Sequence, residues 1–389
     1  MDPSLTLARI RPHLHKAGIT RVADITGLDT LGVPVVIATR PASGSLAVEA
    51  GKGATLEAAA TSATMEAIER FVGEEDDVRD LIATVDEVGD RLAAPVDRLP
   101  LMAYARVVAN RAFPWSSMWN LRTGEQQFVP ELLVQLPCSQ PEMIGTPWGA
   151  SSNGLASGNH VAEALCAALY EVVERDATSC WQVAHRKGVN SLMVDLDTVR
   201  GEIIGGLIEQ IRSADSDVAI MWCPTEVGIP TCMAFVWSDD TGLGMYKGYG
   251  CHLDPEIAMI RAVTEAVQAR TIFVAGARDD FLRGSFESSR RSDVHGAGLF
   301  TYNSTSVSVN DLPDRATGSF HGDVSVILDG LARAGFDTVL ARELTMGQEF
   351  EVAVVRVLVP GLEPYRFPWV AVTDRAKSFI PSVPDQLLR

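Results

Sequence analysis

The chain has 389 residues, 47% hydrophobic and 21% charged, which is the composition of a soluble globular protein with length for two average domains or one large integrated enzyme. Its net charge of −17 excludes a surface built to hold nucleic acid, which needs a clustered basic stripe. No run approaches the roughly eighteen apolar residues of a membrane span, and Met1–Gly18 carries His13, His15 and Lys16 where an export signal needs an apolar core, so a cytoplasmic protein without a membrane partner is expected.

In chain order, Leu5–Ala17 reads as a helix and the β-branched run within 32–39 as a strand. Ala54–Gly73 is rich in Ala, Met, Glu and Ile and reads as a helix. The run 74–77, Glu-Glu-Asp-Asp, follows as its solvated end. Residues 95–150 are punctuated by proline, with short strands expected near Met102–Val107 and Gln127–Pro130. A second Ala-rich helix is expected over His160–Val183, then strands at Val218–Cys223, Pro230–Trp237 and Met245–Gly250. A third such helix covers Pro255–Ala275. Arg278–Asp311 is polar and reads as a loop region. A helix near Asp323–Gly335 and strands at Asp337–Ala341 and Phe350–Leu358 complete the chain. No Ser/Gly linker divides it, so one integrated α+β unit over 1–389 is expected, with a C-terminal subdomain from about 290.

The six cysteines, at 138, 166, 180, 223, 232 and 251, form no CxxC pair and no zinc spacing with histidine. Free thiols in a reducing compartment follow, with Cys166 and Cys180 buried in apolar helical sequence.

A unit occurs three times: a glycine-bearing stretch followed by an Ala-rich helix with a polar stripe, within 51–70, 151–176 and 247–270. The first holds Gly51-Lys52-Gly53 and then Ser62, Glu66, Glu69 and Arg70. The second holds Asn153 through Gly158, Asn159 and Glu163, then Glu171, Glu174, Arg175 and Asp176. The third holds Lys247-Gly248-Tyr249-Gly250, then Arg261, Glu265, Gln268 and Arg270. Positions i, i+4 and i+7 share a helix face, so Ser62/Glu66/Glu69, Ala167/Glu171/Glu174 and Arg261/Glu265/Gln268 are equivalent stripes. A single such stripe is ordinarily a solvated face with intrahelical ion pairs. Three of them, each beside a glycine-rich turn where backbone N–H groups can approach a phosphate, point to a shared site for magnesium and a nucleotide.

These residues resemble the YcaO superfamily across most of 18–275, on Gly51-Lys52-Gly53 with Ser62, Glu66, Glu69 and Arg70, on Ser152-Asn153-Gly154 through Gly158-Asn159, Glu163-Ala164 and Glu171 to Asp176, and on Glu265-Ala-Val-Gln268-Ala-Arg270. The resemblance implies a YcaO-type α+β fold with mixed and antiparallel sheets around an ATP cleft, and ATP and Mg2+ as cofactors. It implies Glu66, Glu69, Glu163, Glu171 and Glu174 as magnesium-binding carboxylates. It also implies Ser62, Asn159, Glu163, Arg175, Gln268 and Arg270 as nucleotide contacts. The family chemistry is ATP-dependent activation of a peptide backbone amide: a nucleophile adds to the carbonyl, and the oxygen is phosphorylated and lost as phosphate. No general base is identified.

Family members carry a basic residue and then a Ser/Thr near the N-terminus; here Thr6 is the Ser/Thr, with Arg9 or Lys52 in place of the upstream basic residue. The ending Phe379 to Arg389 lacks the Pro-x-Pro-x-Pro of azoline-forming cyclodehydratases, and no room is expected for a fused leader-binding domain. The stretch Gly18–Asp29 with Gly32-Val-Pro-Val resembles stand-alone members that work beside a TfuA-type partner in thioamide formation. The expected substrate is therefore a precursor peptide or protein, with a TfuA-like or leader-binding partner, an external sulfur donor and a thioamide product. An azoline or a macrolactamidine is the alternative within the family, and a non-catalytic nucleotide-binding scaffold the alternative outside it. A homodimer is expected only from the general frequency of twofold assemblies.

Overall fold

Three long helices, each entered from a glycine-bearing strand, organise the computed structural model, which describes residues 2–103, 105–108, 110–136, 146–238, 243–278, 280, 284, 304–364 and 370–381. The N-terminal helix α1 (Pro3–Ile10) leads into a sheet of β1 (Arg21–Asp24), β2 (Val35–Thr39) and β3 (Val48–Lys52) in that order. Then come α2 (Leu56–Glu75), β4 (Leu81–Ala83), the single turn α3 (Val85–Val88), β5 (Phe113–Asn120), β6 (Gln126–Pro130) and β7 (Leu155–Gly158). The long helix α4 (Val161–Arg186) precedes β8 (Ser191–Val194), α5 (Glu202–Ser213), β9 (Asp217–Trp222), β10 (Thr231–Trp237), β11 (Tyr246–Cys251) and α6 (Pro255–Ala275). The chain closes with β12 (Ser304–Val307), α7 (Phe320–Arg333), β13 (Leu340–Leu344), β14 (Ala353–Leu358) and α8 (Asp374–Ser378).

The second sheet runs β11-β10-β9-β8-β12, antiparallel except for the parallel β8–β12 pair. The third runs β4-β5-β13-β14-β7 with β6 on β5, all antiparallel. The C-terminal strands β13 and β14 thus lie inside a sheet, between β5 and β7. The mixed α and β architecture is the one expected.

Three strands, β3, β7 and β11, are each an end strand in the order of their own sheet, and each precedes one of the three long helices. Their glycines lie against the helix that follows. A Cβ on Gly51 would sit 2.0 Å from the Ala63 nitrogen and 2.1 Å from the Ala59 oxygen of α2. One on Gly158 would sit 2.5 Å from the Ala164 nitrogen of α4. One on Gly248 or Gly250 would sit 2.1 Å from the Ala262 or Ala258 oxygen of α6. Residues two apart share a strand face. The alternate residues therefore point to a different helix: Lys52 to Glu265 on α6, Ser157 to Glu69 on α2, and Tyr249 to Arg175 and Gln182 on α4. Strand and helix alternate in a ring, α2–β7–α4–β11–α6–β3.

This corrects the sequence expectation at one point. The glycine stretches before α2 and α4 are strands, not phosphate-cradling loops, while the one before α6 is the strand expected, and the alanines of the helices are the surface that lets those strands approach. The helix starts follow ordinary capping. Thr55 accepts from the Ala58 N–H, the His160 side chain from Glu163, and Asp254 from Glu256, with Pro255 at the first helical position of α6. Gly276, at φ 58°, ends α6 in the left-handed region.

Other expectations shift for identifiable reasons. The helix expected to Ala17 changes to 3-10 geometry at Arg11, beside Pro12, whose missing N–H removes an α-helical bond. Met102 makes only an isolated bridge to Val370 and starts no strand. The polar stretch after Arg278 contains β12 at its far end. The acidic run 74–77 is only half solvated: Glu75 and Asp77 are exposed, but Glu74 is buried on Arg40, Ser43 and Ser45, and Asp76 accepts from both the N–H and hydroxyl of Thr345. Cys166, Cys180, Cys223, Cys232 and Cys251 are buried free thiols, as expected, and Cys138 lies outside the described residues.

Candidate functional site

The ring encloses a charged cleft. On α2, Glu66 and Glu69 share a face with the half-buried Ser62. Glu69 accepts from the Ser157 N–H at 2.9 Å and its hydroxyl at 3.2 Å, so the edge of β7 fixes the carboxylate. Burial, and after it the charges of Glu66 and Glu171, hold Glu69 well above the ordinary carboxylate range. Across the cleft on α4, burial and Glu174 push Glu171 up to about 7 against the pull of Arg175, and burial raises Glu174. Arg175 stands 3.9 Å from Glu171 and 3.5 Å from Glu174. Two glutamate pairs from facing helices therefore repel one another in a partly buried space, which is the electrostatic condition a bound cation relieves.

Further charged groups belong to the same cleft, and two of them, Glu49 and Arg356, were not assigned a role from sequence. Glu49 on β3 is buried, 3.0 Å from the Arg70 Nε, and burial with the Glu66 charge pushes it up to about 8. Its strand parity with Gly51 aims it at α2, a signal that becomes legible once 48–52 is read as a strand. Lys52 reaches over to Glu265, whose carboxyl Lys52 and Arg175 hold below the usual range despite burial. Arg356 of β14 is buried, donates to the Leu133 and Ser151 carbonyls, and faces Glu171 and Glu69; burial lowers it to about 10.

A second group lies at the start of α4. The Asn159 N–H and side-chain amide each donate to Glu163 at 3.1 Å, and its side-chain oxygen accepts from Thr6 at 3.0 Å and from Arg9. Thr6 and Arg9, on α1, thus meet where the sequence placed a Ser/Thr with a basic substitute. Glu163 is eight residues before Glu171, about 12 Å along the helix at ~1.5 Å per residue, so it stands apart from the four-glutamate group.

Two expected nucleotide contacts are committed elsewhere. Arg270 is 1% exposed and is held by Asp29 at 2.9 Å and by the Ser238 hydroxyl at 2.6 Å. It lies two residues past Gln268, off the Arg261/Glu265/Gln268 stripe, so helical rotation turns it into the core. Arg261, on that stripe, is the α6 arginine that neighbours Glu174 and Glu265. Gln268 donates its amide to the Ala50 carbonyl and fastens α6 to β3.

The donor set suits magnesium and phosphate. Every candidate ligand is a hard carboxylate oxygen. Magnesium takes such oxygens and completes its shell with water and phosphate oxygens. Buried Arg261 Nε and Arg356 Nη1 have no hydrogen-bond partner among the described residues, while Arg70 Nε and Glu49 Oε1 meet each other as an ion pair. Such orphaned groups are costly unless a ligand meets them.

The family profile described as YcaO cyclodehydratase, ATP- and Mg2+-binding, matches residues 50–363, and the chain belongs to the YcaO family. An uncharacterized protein of Methanothermobacter thermautotrophicus is 35% identical over 97% of this chain and 98% of its own length. An uncharacterized protein of the tfuA 3′ region of Rhizobium leguminosarum bv. trifolii is 34% identical over 93% of this chain and 88% of its own. Among solved structures, the YcaO of Methanopyrus kandleri, bound with AMPPCP and Mg2+, superposes at TM-score 0.72 with 26% identity, covering 94% of this chain and 92% of that one. A heterocyclase in complex with substrate and cofactor shares the fold at TM-score 0.79 and 23% identity; the match covers 94% of this chain and about half, 52%, of that one. No helix among the described residues is long and apolar enough to cross a membrane.

Proposed function

We propose that this chain uses Mg2+-ATP to activate a backbone amide of a peptide or protein substrate, and that the favoured product is a thioamide formed with an external sulfur donor. The observation that carries the proposal is the facing pair of glutamate pairs, Glu66/Glu69 and Glu171/Glu174, whose mutual repulsion calls for cations. In this reading those four carboxylates hold the magnesium. Ser62, Asn159 and Glu163 serve the nucleotide end with Thr6 and Arg9. Arg175 and Arg261, in place of Arg270, supply positive charge to the phosphates. Mg2+-ATP, when bound, supplies the phosphoryl group that turns a poor leaving oxygen into phosphate. The protein's part is positioning and charge stabilisation: the Ser157 edge fixes Glu69, and Glu265 holds Lys52 on the opposite wall. Overall, amide, hydrosulfide and ATP give thioamide, ADP and phosphate, so atoms and charge balance without an oxidant.

The Methanopyrus structure with AMPPCP and Mg2+ supports the cofactor assignment, and the position of the Rhizobium relative beside tfuA supports the thioamide over ring closure and a TfuA-like partner. The test is incubation of the chain with Mg2+-ATP and candidate peptides, with and without sulfide and a TfuA-type protein, read by intact mass. A gain equal to the oxygen-to-sulfur difference, dependent on sulfide, is expected. Loss of one water would assign azoline or amidine chemistry instead, and ATP binding with no mass change across substrates would favour a scaffold.

A further inference from the structure

Away from the acidic cleft, α4 ends in a concentration of positive charge that the proposed chemistry does not use. Arg186 and Lys187 are exposed at its C-terminal end. Lys247 comes to the same place from β11, close enough that Arg186, after burial, lowers its affinity for a proton. Lys247 acts in the same direction on His185. Lys377 arrives from α8, where the Lys187 ammonium donates to its backbone carbonyl. Arg186 and Lys187 alone would be ordinary company for the negative end of a helix dipole. Lys247 belongs to another element and adds charge beyond that need, in a protein whose net charge is −17, while the Lys377 ammonium is paired with Asp374 at 3.0 Å.

This basic end is continuous with the cleft. Arg175, Gln182 and Arg186 are spaced i, i+7 and i+11 and fall on one face of α4. Tyr249 and Lys247, two apart, share one face of β11. The Arg175 guanidinium stands over the Tyr249 ring at 5.6 Å, and the Gln182 amide donates to the Tyr249 hydroxyl at 3.5 Å. A strip of Arg175, Tyr249, Gln182, Lys247 and Arg186 therefore leads from the glutamate pairs to solvent. It alternates cations with an aromatic ring and an amide, groups that hold an extended peptide by its carboxylates and its backbone.

Resting on the proposed peptide substrate, we infer that the part of this strip beyond Arg175 docks the substrate chain and that the basic end selects an acidic segment flanking the amide to be modified. The ammonium and guanidinium groups meet carboxylates several residues from the reacting centre, while Tyr249 and Gln182 border the stretch between. Binding of this kind is steered by charge and screened by salt.

The test uses the full chain and two fluorescein-labelled versions of one glycine-rich peptide, one with a flanking run of glutamates and one with glutamines in their place. Anisotropy at low salt is expected to show the glutamate peptide binding at least about tenfold more tightly, with the difference collapsing in high salt. In Arg186→Glu/Lys187→Glu, both exposed positions, the preference should vanish while affinity for a nonhydrolysable ATP analogue stays unchanged and the melting temperature falls only modestly, from reversing two charges at a helix C-terminus. Lys247→Gln should weaken the preference by a smaller factor. Equal binding of the two peptides by the unmodified chain, or a preference that survives charge reversal, overturns the inference. Intact acidic-peptide selectivity without any ATP-dependent mass change would instead count against the proposed chemistry.

Discussion

Glu69 of α2 accepts two hydrogen bonds from Ser157 of β7, from the backbone N–H at 2.9 Å and from the hydroxyl at 3.2 Å. Burial and two neighbouring glutamates hold this carboxyl well above the ordinary range even with the Ser157 hydroxyl pulling the other way. The contact also joins the first and second strand–helix units, so one residue pair fixes both the geometry and the charge of the cleft.

The repulsion between glutamates sets the first prediction. Glu66→Gln and Glu174→Gln each remove a negative charge from a crowded cleft, so the nucleotide-free protein should melt at the same temperature or higher. Affinity for Mg2+-ATP should fall at least tenfold, about 1.4 kcal/mol or more, and peptide-dependent ATP hydrolysis should disappear. Paired melting and calorimetric titrations check both halves; full turnover in both variants would remove these residues from the metal site.

Protonation gives the second. Glu49 and Glu171 are pushed up to about 8 and about 7 from an ordinary 4.5. The folded, nucleotide-free chain thus holds more protons than the unfolded one across that interval, and these groups make it less stable as pH rises from 5 to 8, by the linkage relation. A cation must displace those protons. Mg2+-ATP binding at pH 6.5 should therefore release protons and weaken as pH falls, which titration in buffers of differing ionisation enthalpy will read directly. Binding without proton release would contradict the electrostatic account.

Close packing gives the third. Gly248→Ala puts a methyl group 2.1 Å from the Ala262 oxygen and 2.2 Å from the Ala266 nitrogen, both backbone, and should cost about 3 kcal/mol or more, at the upper end for overpacking. Gly205→Ala, in α5 with no atom within 4 Å of the new group, should stabilise by up to about 1 kcal/mol. Denaturant titration of the two variants compares them on one scale.

The buried Arg270 gives the fourth. Arg270→Gln strands Asp29 in the core and should cost about 3 kcal/mol, as for other broken buried ion pairs. Nucleotide affinity of the folded variant should be unchanged. A large loss of affinity without loss of stability would return Arg270 to the phosphate site.

Much of this was legible in the chain. The spacing of Glu66/Glu69 and Glu171/Glu174 placed both pairs on helix faces, and Pro255–Ala275 was read to its ends because Asp254, Pro255 and Gly276 mark them. What escaped was tertiary. Gly51 and Gly158 look like loop residues because glycine disfavours strands locally; only the facing alanines of the helices show why a strand keeps them. Missing β3 hid Glu49, whose direction depends on strand parity. Arg270 was placed by motif alone, while helical rotation from Gln268 carries it into the core. The Glu74–Arg40 pair joins residues 34 apart, and no local pattern announces it.

In the proposed reading the carboxylates of α2 and α4 hold metal ions together in one nucleotide site. Anomalous diffraction from crystals grown with Mn2+ and a nonhydrolysable ATP analogue tests it most directly. The account predicts manganese peaks within ligand distance of Glu66 or Glu69 on one side and Glu171 or Glu174 on the other, with the phosphates between them. Peaks bound by one helix alone, or found only away from these four residues, would contradict it.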